Sequence, residues 1–211
     1  MSKLRESNFC LLLNRDHWLL LILWILFSAS HSFLAAAWWK QYMEELLGRY
    51  YRYYRFYYSV FAFMSIFGLL IFQYSIDSGL LWVRTTLNLI ITIPFLLSGI
   101  WIMGWSIKKY FFYLSGIDVF GKKRETLLQQ DGLHQVVRHP LYLGTLLFIW
   151  SLFVLFPFLN NLIACIVITA YTIIGIRLEE RKLLNEFGEN YRQYSRKVPM
   201  LIPRIPMRIS R

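Results

Sequence analysis

Residues 141–176 read LYLGTLLFIWSLFVLFPFLNNLIACIVITAYTIIGI. No charged residue interrupts this stretch. It divides at PFLNN, residues 157–161, where Pro and Asn mark a tight turn. The two arms, 140–157 and 159–176, are equal at 18 residues each. A bilayer-spanning helix needs roughly 20 apolar residues, so each arm is just long enough. The stretch therefore predicts an antiparallel helical hairpin that crosses a membrane and returns. Its equal arms predict that the residues just before 140 and just after 176 meet at one end.

Three more apolar runs precede the hairpin, at 18–37, 57–76 and 87–107. Five spans would use about 100 residues, half of the 211-residue chain. Composition agrees: 57% of residues are hydrophobic and only 17% charged, with mean hydropathy +0.43. A soluble domain has about 45–50% apolar and about 25% charged residues. Disorder requires the opposite bias. A disulfide scaffold is excluded because the only cysteines are Cys10 and Cys165. The fold class is all-α: a polytopic membrane protein of about five transmembrane helices, forming one domain. Residues 1–130 carry three spans and a basic loop; residues 131–211 carry the hairpin and tail.

The net charge of +11 would suit a nucleic-acid binder. Its distribution points elsewhere. With five spans, all but four of the 23 Lys and Arg residues fall on one side; the exceptions are Lys3, Arg5, Arg15 and Arg84. The positive-inside rule puts that basic side in the cytoplasm, with the N-terminus outside and the C-terminus inside. The partner implied is a lipid bilayer, and nucleic acid is not required. The first run could be misread as a cleaved signal peptide, since a basic segment precedes it and small residues stand within it at 28–30 and 35–37. Cleavage would strand the basic first loop outside, so the run reads as a true span.

In RYYRYYRFYY, residues 49–58, arginines recur every three residues on one broad helix face. Tyr and Arg at a span end suit an interfacial belt, and a headgroup contact is the functional alternative. The tail, 177–197, is charged and helix-prone, with Leu178, Leu183, Leu184, Phe187, Tyr191 and Tyr194 at spacings of mostly three and four. It predicts an amphipathic helix on or near the membrane surface, kinked at Gly188 and ended by Pro199, Pro203 and Pro206.

Chemistry concentrates at the predicted meeting point. Pro140 suits a helix's first turn, so the fourth span starts there with Arg138 and His139 at its mouth. Free backbone N–H groups at that start form an anion site. Tyr142 sits at the same depth. Arg177, Glu179 and Glu180 follow the fifth span. Two acids, cations and a phenol at a water–lipid boundary make a polar pocket open to both phases. His31 lies within the first span, where an ionisable group is either functional or a helix–helix hydrogen bond. The four histidines lack metal-ligand spacing, so no metal is expected. There is no Gly-rich phosphate loop or nucleophile elbow, and no covalent enzyme intermediate is expected.

The order GLHQVVRHPLYLG, hairpin, EERKLLNEFGENYRQYSRKVP, covering 132–199, resembles the isoprenylcysteine carboxyl methyltransferase and phospholipid N-methyltransferase superfamily. SASHSFLA, the YYR loop and SGIDVFGKK at 115–123 are similar to its bacterial thiol methyltransferase and NnrU-type branches. The resemblance implies an integral membrane methyltransferase, expected in a bacterial inner membrane, using S-adenosyl-L-methionine. It implies cofactor binding by His139, Tyr142 and Glu179 or Glu180, with His134, Gln135, Val136, Val137 and Arg138 lining the cofactor. Arg177 is the candidate for a substrate contact, and His31 joins it as a candidate catalytic residue. The acceptor implied is a small thiol, a prenylcysteine-like carboxylate or a lipid. Membrane sterol and steroid reductases, which use NADPH, share a similar hairpin. They carry Asn where this chain has Leu141, and the paired acids favour the methyltransferases. A non-catalytic membrane factor of a nitrogen-oxide pathway is the remaining alternative.

Overall fold

The structure is a computed structural model that describes residues 14–115 and 128–203, with side chains from 109 to 115 left aside. Cys10, Pro206 and nearly all of the SGIDVFGKK stretch lie outside the described residues. The described residues form six α-helices: α1 (Arg15–Ala35), α2 (Ala37–Leu47), α3 (Tyr54–Ser75), α4 (Thr86–Ser115), α5 (Pro140–Leu155) and α6 (Leu159–Lys197). Two 3-10 turns, Gly48–Tyr53 and Gly132–Gln135, precede α3 and α5.

Four helical stretches, holding α1, α3, α4 and α6, are long and apolar enough to cross a membrane. The fourth expected span, α5, has 16 residues and is about 24 Å long. Large apolar side chains such as Phe63, Met64, Ile90 and Trp101 are exposed along these helices. An inside-out surface of this kind is stable only where lipid replaces water.

Several ends depart from the expected ranges for identifiable reasons. α1 starts three residues before Trp18 because Asn14 caps it, accepting from the His17 N–H at 3.0 Å. It stops at Ala35, because extended backbone at Ala36 turns the chain into α2, an element the sequence did not predict. Phe33 packs on Trp38 and Trp39 at 5.3 and 4.5 Å across that turn. Exposed Trp38 and Tyr42 suit α2 to a membrane interface. The arginines of residues 49–58 begin in 3-10 geometry, where residues three apart eclipse. Arg49 and Arg52 lie over the Tyr50 and Tyr53 rings at 4.9 and 4.5 Å.

The hairpin forms as expected. Pro140 occupies the first turn of α5, and the arms are stitched by Trp150 Nε1 donating to Thr169 Oγ1 at 3.0 Å. The tail differs from expectation in one respect: α6 continues from the fifth span without a break as far as Gly188, and resumes beyond it to Lys197. The chain turns only at Gly188 (φ 53°, ψ −124°), the predicted kink. Leu183, Leu184 and Phe187 pack on Tyr191, Tyr194 and Val198, while Leu178 stays exposed.

At the turn end of the hairpin, a hydrogen-bonded network joins three spans. Trp24 donates to Gln73, and Gln73 to Asn161, both at 2.9 Å. Asn160 donates its side-chain amide to the Gln73 carbonyl at 2.7 Å and its N–H to Ser78 at 2.9 Å. Such groups are costly to bury unpaired, so the network fixes α1 and α3 against the turn. Leu20, Trp24, Leu69, Ile76, Leu159 and Ile163 form the apolar core beside it.

α4 and α5 pack with their backbones in near contact. A Cβ on Gly99 would lie 2.8 Å from the Phe148 nitrogen, and one on Gly144 2.9 Å from the Met103 nitrogen. Small residues permit this approach, as in other membrane helix pairs. The result fixes where the start of α5 sits, and with it the site.

Candidate active site

The site lies at the far end of the hairpin, before Pro140 and after Ile176. Gly132 opens the approach at φ +61°, where a Cβ would also strike the Trp105 ring at 2.7 Å. The turn it starts presents His134 and Gln135, then buries Val137. His134 Nδ1 lies 3.1 Å from the Arg138 carbonyl oxygen, and Tyr194 donates its hydroxyl to the His134 carbonyl at 2.7 Å.

Arg138 is the hub. Its Nε and Nη2 donate to Glu180 Oε1 at 2.7 and 2.5 Å. Its Nη1 donates to the carbonyls of Ser195 and Val198 at 2.9 and 2.7 Å. The guanidinium therefore pins the tail to the motif. His139, also buried, places Nε2 3.1 Å from Glu180 Oε1 and Nδ1 3.8 Å from Glu179 Oε2. Burial pushes the Glu180 carboxyl up, but the hydrogen bonds from Arg138 and His139 outweigh it and hold the group below its usual range.

The free N–H groups expected ahead of α5 are in use. Arg138 N–H donates to the Pro199 carbonyl at 2.9 Å, and His139 N–H to the Met200 carbonyl at 3.2 Å. The expected anion site is thus partly filled by the tail itself, which folds back after Lys197.

Helix phase sorts the acids. Thr172, Ile176 and Glu180 recur every four residues and face inward. Tyr171, Gly175 and Glu179 form the neighbouring stripe, and Glu179 keeps 43% of its side-chain surface. Tyr142 from α5 closes against this stripe: its hydroxyl lies 4.0 Å from a Cβ placed on Gly175. It is within electrostatic reach of Glu179 and Tyr171, and its ring is 5.7 Å from that of His139. Arg177 stands off the knot, exposed, and among the described residues it has no hydrogen bond or ion pair.

The structure thus brings together Arg138, His139, Tyr142, Glu179 and Glu180, with His134 and Val137 behind them. Gln135 and Val136 are exposed at the rim. Of the expected residues, only Gln135 lines the cavity of about 570 Å³ under the tail, shared with Phe187, Asn190 and Tyr194. His31 lies apart from the knot, against Tyr58 of α3, whose hydroxyl is 2.9 Å from Nδ1.

Two features escaped the sequence reading. The Tyr191 hydroxyl is buried within electrostatic reach of Glu180 and Arg138, yet aligned with no partner. Its spacing on the amphipathic face was legible, but its polar surroundings depend on the fold of the tail. Arg55 of α3 and Lys182 of α6 each lie within electrostatic reach of Lys40 of α2. No sequence signal joins residues so far apart.

Residues 87–190 match the family model described as phospholipid methyltransferase. Over 198 residues the chain is 30% identical to methanethiol S-methyltransferase 1 of Bradyrhizobium diazoefficiens, covering 87% of this chain and 65% of that protein. It therefore spans just under two thirds of that relative's length. Methanethiol S-methyltransferase of Mycobacterium tuberculosis is 26% identical over 202 residues, 87% of this chain and 76% of its own. Protein-S-isoprenylcysteine O-methyltransferase of Schizosaccharomyces pombe is 39% identical over 88 residues, 40% of this chain and 36% of its own. No solved structure matches the chain.

Proposed function

We propose that the chain, whose residues 87–190 match the phospholipid methyltransferase family model, is a membrane methyltransferase that takes its methyl group from S-adenosylmethionine and gives it to a small thiol. The observation that carries this reading is the convergence of His139, Tyr142 and Glu179 at one end of the hairpin. The names of two relatives that align with 87% of this chain favour a thiol over a lipid acceptor.

The residues fit such a donor. When bound, S-adenosylmethionine supplies a methyl group on a sulfonium sulfur, together with an ammonium, a carboxylate and a ribose diol. The exposed Glu179 carboxylate accepts from an ammonium or a diol. The Tyr142 and Tyr191 hydroxyls offer neutral donors or acceptors. Arg177, exposed beside the knot, is available to the carboxylate. His134, Gln135, Val136 and Val137 line the approach.

Glu180 and Arg138 serve the site mainly by holding it: Glu180 orients His139, and Arg138 holds the tail over the motif. Positioning and exclusion of water then supply much of the rate, since the reaction needs alignment more than acid–base work on the donor. The motif end faces the cytoplasm in this reading, because nearly all the basic residues lie there. Donor enters from water and an apolar acceptor from the bilayer.

The test is a methyl-transfer screen with labelled donor and purified protein, comparing small alkyl thiols with prenylcysteine and lipid amines. Label should appear in the thiol products. Transfer only to lipid amines would reject the acceptor assignment, and transfer to nothing would reject the activity.

A further inference from the structure

A second polar cluster lies inside the membrane region, about two helical turns from the motif acids along α6. His31 sits four residues before the end of α1, and Tyr58 four residues after the start of α3. The Tyr58 hydroxyl is 2.9 Å from His31 Nδ1, 3.0 Å from Nε2 and 3.3 Å from the His31 carbonyl oxygen. The in-plane directions of two imidazole nitrogens diverge, so one oxygen cannot align with both. At least one ring nitrogen is left for a further partner. Tyr171 of α6 completes the group: its ring is 6.4 Å from that of His31, and its hydroxyl accepts from Ser32 Oγ at 3.1 Å. Phe27 covers the imidazole at 6.0 Å.

Tyr171 also belongs to the α6 stripe that ends in Glu179, about 12 Å further along the helix. Gly175 lies between them, and its missing side chain leaves a notch bordered by the Tyr142 hydroxyl. One helix face thus links the motif end to the His31 cluster.

We propose that His31, Tyr58 and Tyr171 form the acceptor subsite, with His31 taking the proton of a small thiol and the two tyrosines positioning it. This rests on the methyltransferase reading above. The chemistry of the cluster selects the class of acceptor. A carboxylate acceptor would need a cation to hold it, and an ammonium an acid, but among the described residues the hydrogen bonds and ring contacts of His31, Tyr58, Ser32 and Tyr171 involve no charged group. A thiol needs a base to become nucleophilic and suits aromatic walls. The S–H proton passes to the unaligned nitrogen of His31. The electron pair left on sulfur forms the new sulfur–carbon bond. The donor's sulfur–methyl bond breaks with its pair retained on the donor sulfur.

The experiment uses the full chain in lipid nanodiscs and the variants His31→Gln, Tyr58→Phe and Tyr171→Phe. It measures S-adenosylmethionine binding and ethanethiol binding by calorimetry, and ethanethiol methylation against pH. His31→Gln should lower kcat at neutral pH by about 100-fold, recovering as the pH rises and free thiolate forms. Tyr58→Phe and Tyr171→Phe should weaken ethanethiol binding and raise its KM by roughly fivefold. Donor affinity should stay at the wild-type value in all three. An unchanged pH profile in His31→Gln, or donor binding lost in step with turnover, would overturn the subsite. If the wild type binds no donor, the methyltransferase reading itself falls, and the subsite with it.

Discussion

Arg138 carries more of this site than its place beside a histidine suggests. Its guanidinium joins Glu180 on α6 to the Ser195 and Val198 carbonyls of the tail. Removing the acid leaves a largely buried cation without its partner. Glu180→Gln should therefore cost about 2 kcal/mol, read as a fall of about 4–8 °C in the thermal midpoint of the purified protein. The same pair sets a pH dependence. Glu180 is held below the usual carboxylate range in the folded protein. The stability it adds is complete above that range and is lost as pH falls through its own lowered value. The gap in midpoint between wild type and Glu180→Gln should thus narrow as pH falls below the usual carboxylate range and close below the lowered value of Glu180 itself. A gap that persists there would assign the pair no electrostatic role. The acids were legible in the sequence as a pair, but their division of labour was not. It follows from helix phase, since Glu180 continues the Thr172–Ile176 stripe while Glu179 continues Tyr171–Gly175, and phase matters only once the partner helix is known.

Among the elements, the hairpin was the most legible, because its breakers and equal arms lie in one continuous stretch. Pro140 starts α5 and Gly188 breaks α6, each for a local reason of backbone geometry. Less local features were missed. The extension of α1 to Arg15 depends on the Asn14 cap, and the break at Ala36 on aromatic packing between Phe33 and Trp39. The tail reads as separate by composition, yet its helix is continuous because nothing before Gly188 interrupts the backbone hydrogen bonds. The glycines of α4 and α5 look alike in sequence but differ in surroundings. Gly99→Ala should lower the thermal midpoint by several degrees, since its Cβ meets the backbone of Phe148 and overpacking costs about 1–3 kcal/mol. Gly68→Ala, on the open face of α3 with nothing within 4 Å, should be neutral or stabilising by up to about 1 kcal/mol. Equal effects of the two would remove the case for close α4–α5 packing.

For the whole molecule, the arrangement turns on two unlike ends. The turn end holds the uncharged network of Trp24, Gln73, Asn160, Asn161 and Ser78 and few basic residues. The motif end gathers Arg138, His139, Glu179, Glu180 and most of the cations. In intact cells, with both native cysteines replaced by serine, an impermeant thiol reagent should label Val83→Cys at the turn end. It should not label Gln193→Cys in the tail until the membrane is permeabilised. The reverse pattern would invert the topology and place the site away from the cytoplasmic donor. The central claim is that the motif end binds S-adenosylmethionine. Its most direct test is calorimetric titration of the purified chain with S-adenosylmethionine and, separately, with NADPH. Saturable binding of S-adenosylmethionine, weakened about tenfold or more by His139→Ala and by Glu179→Gln, is the predicted result. Binding of NADPH alone, or S-adenosylmethionine binding untouched by both substitutions, would contradict it.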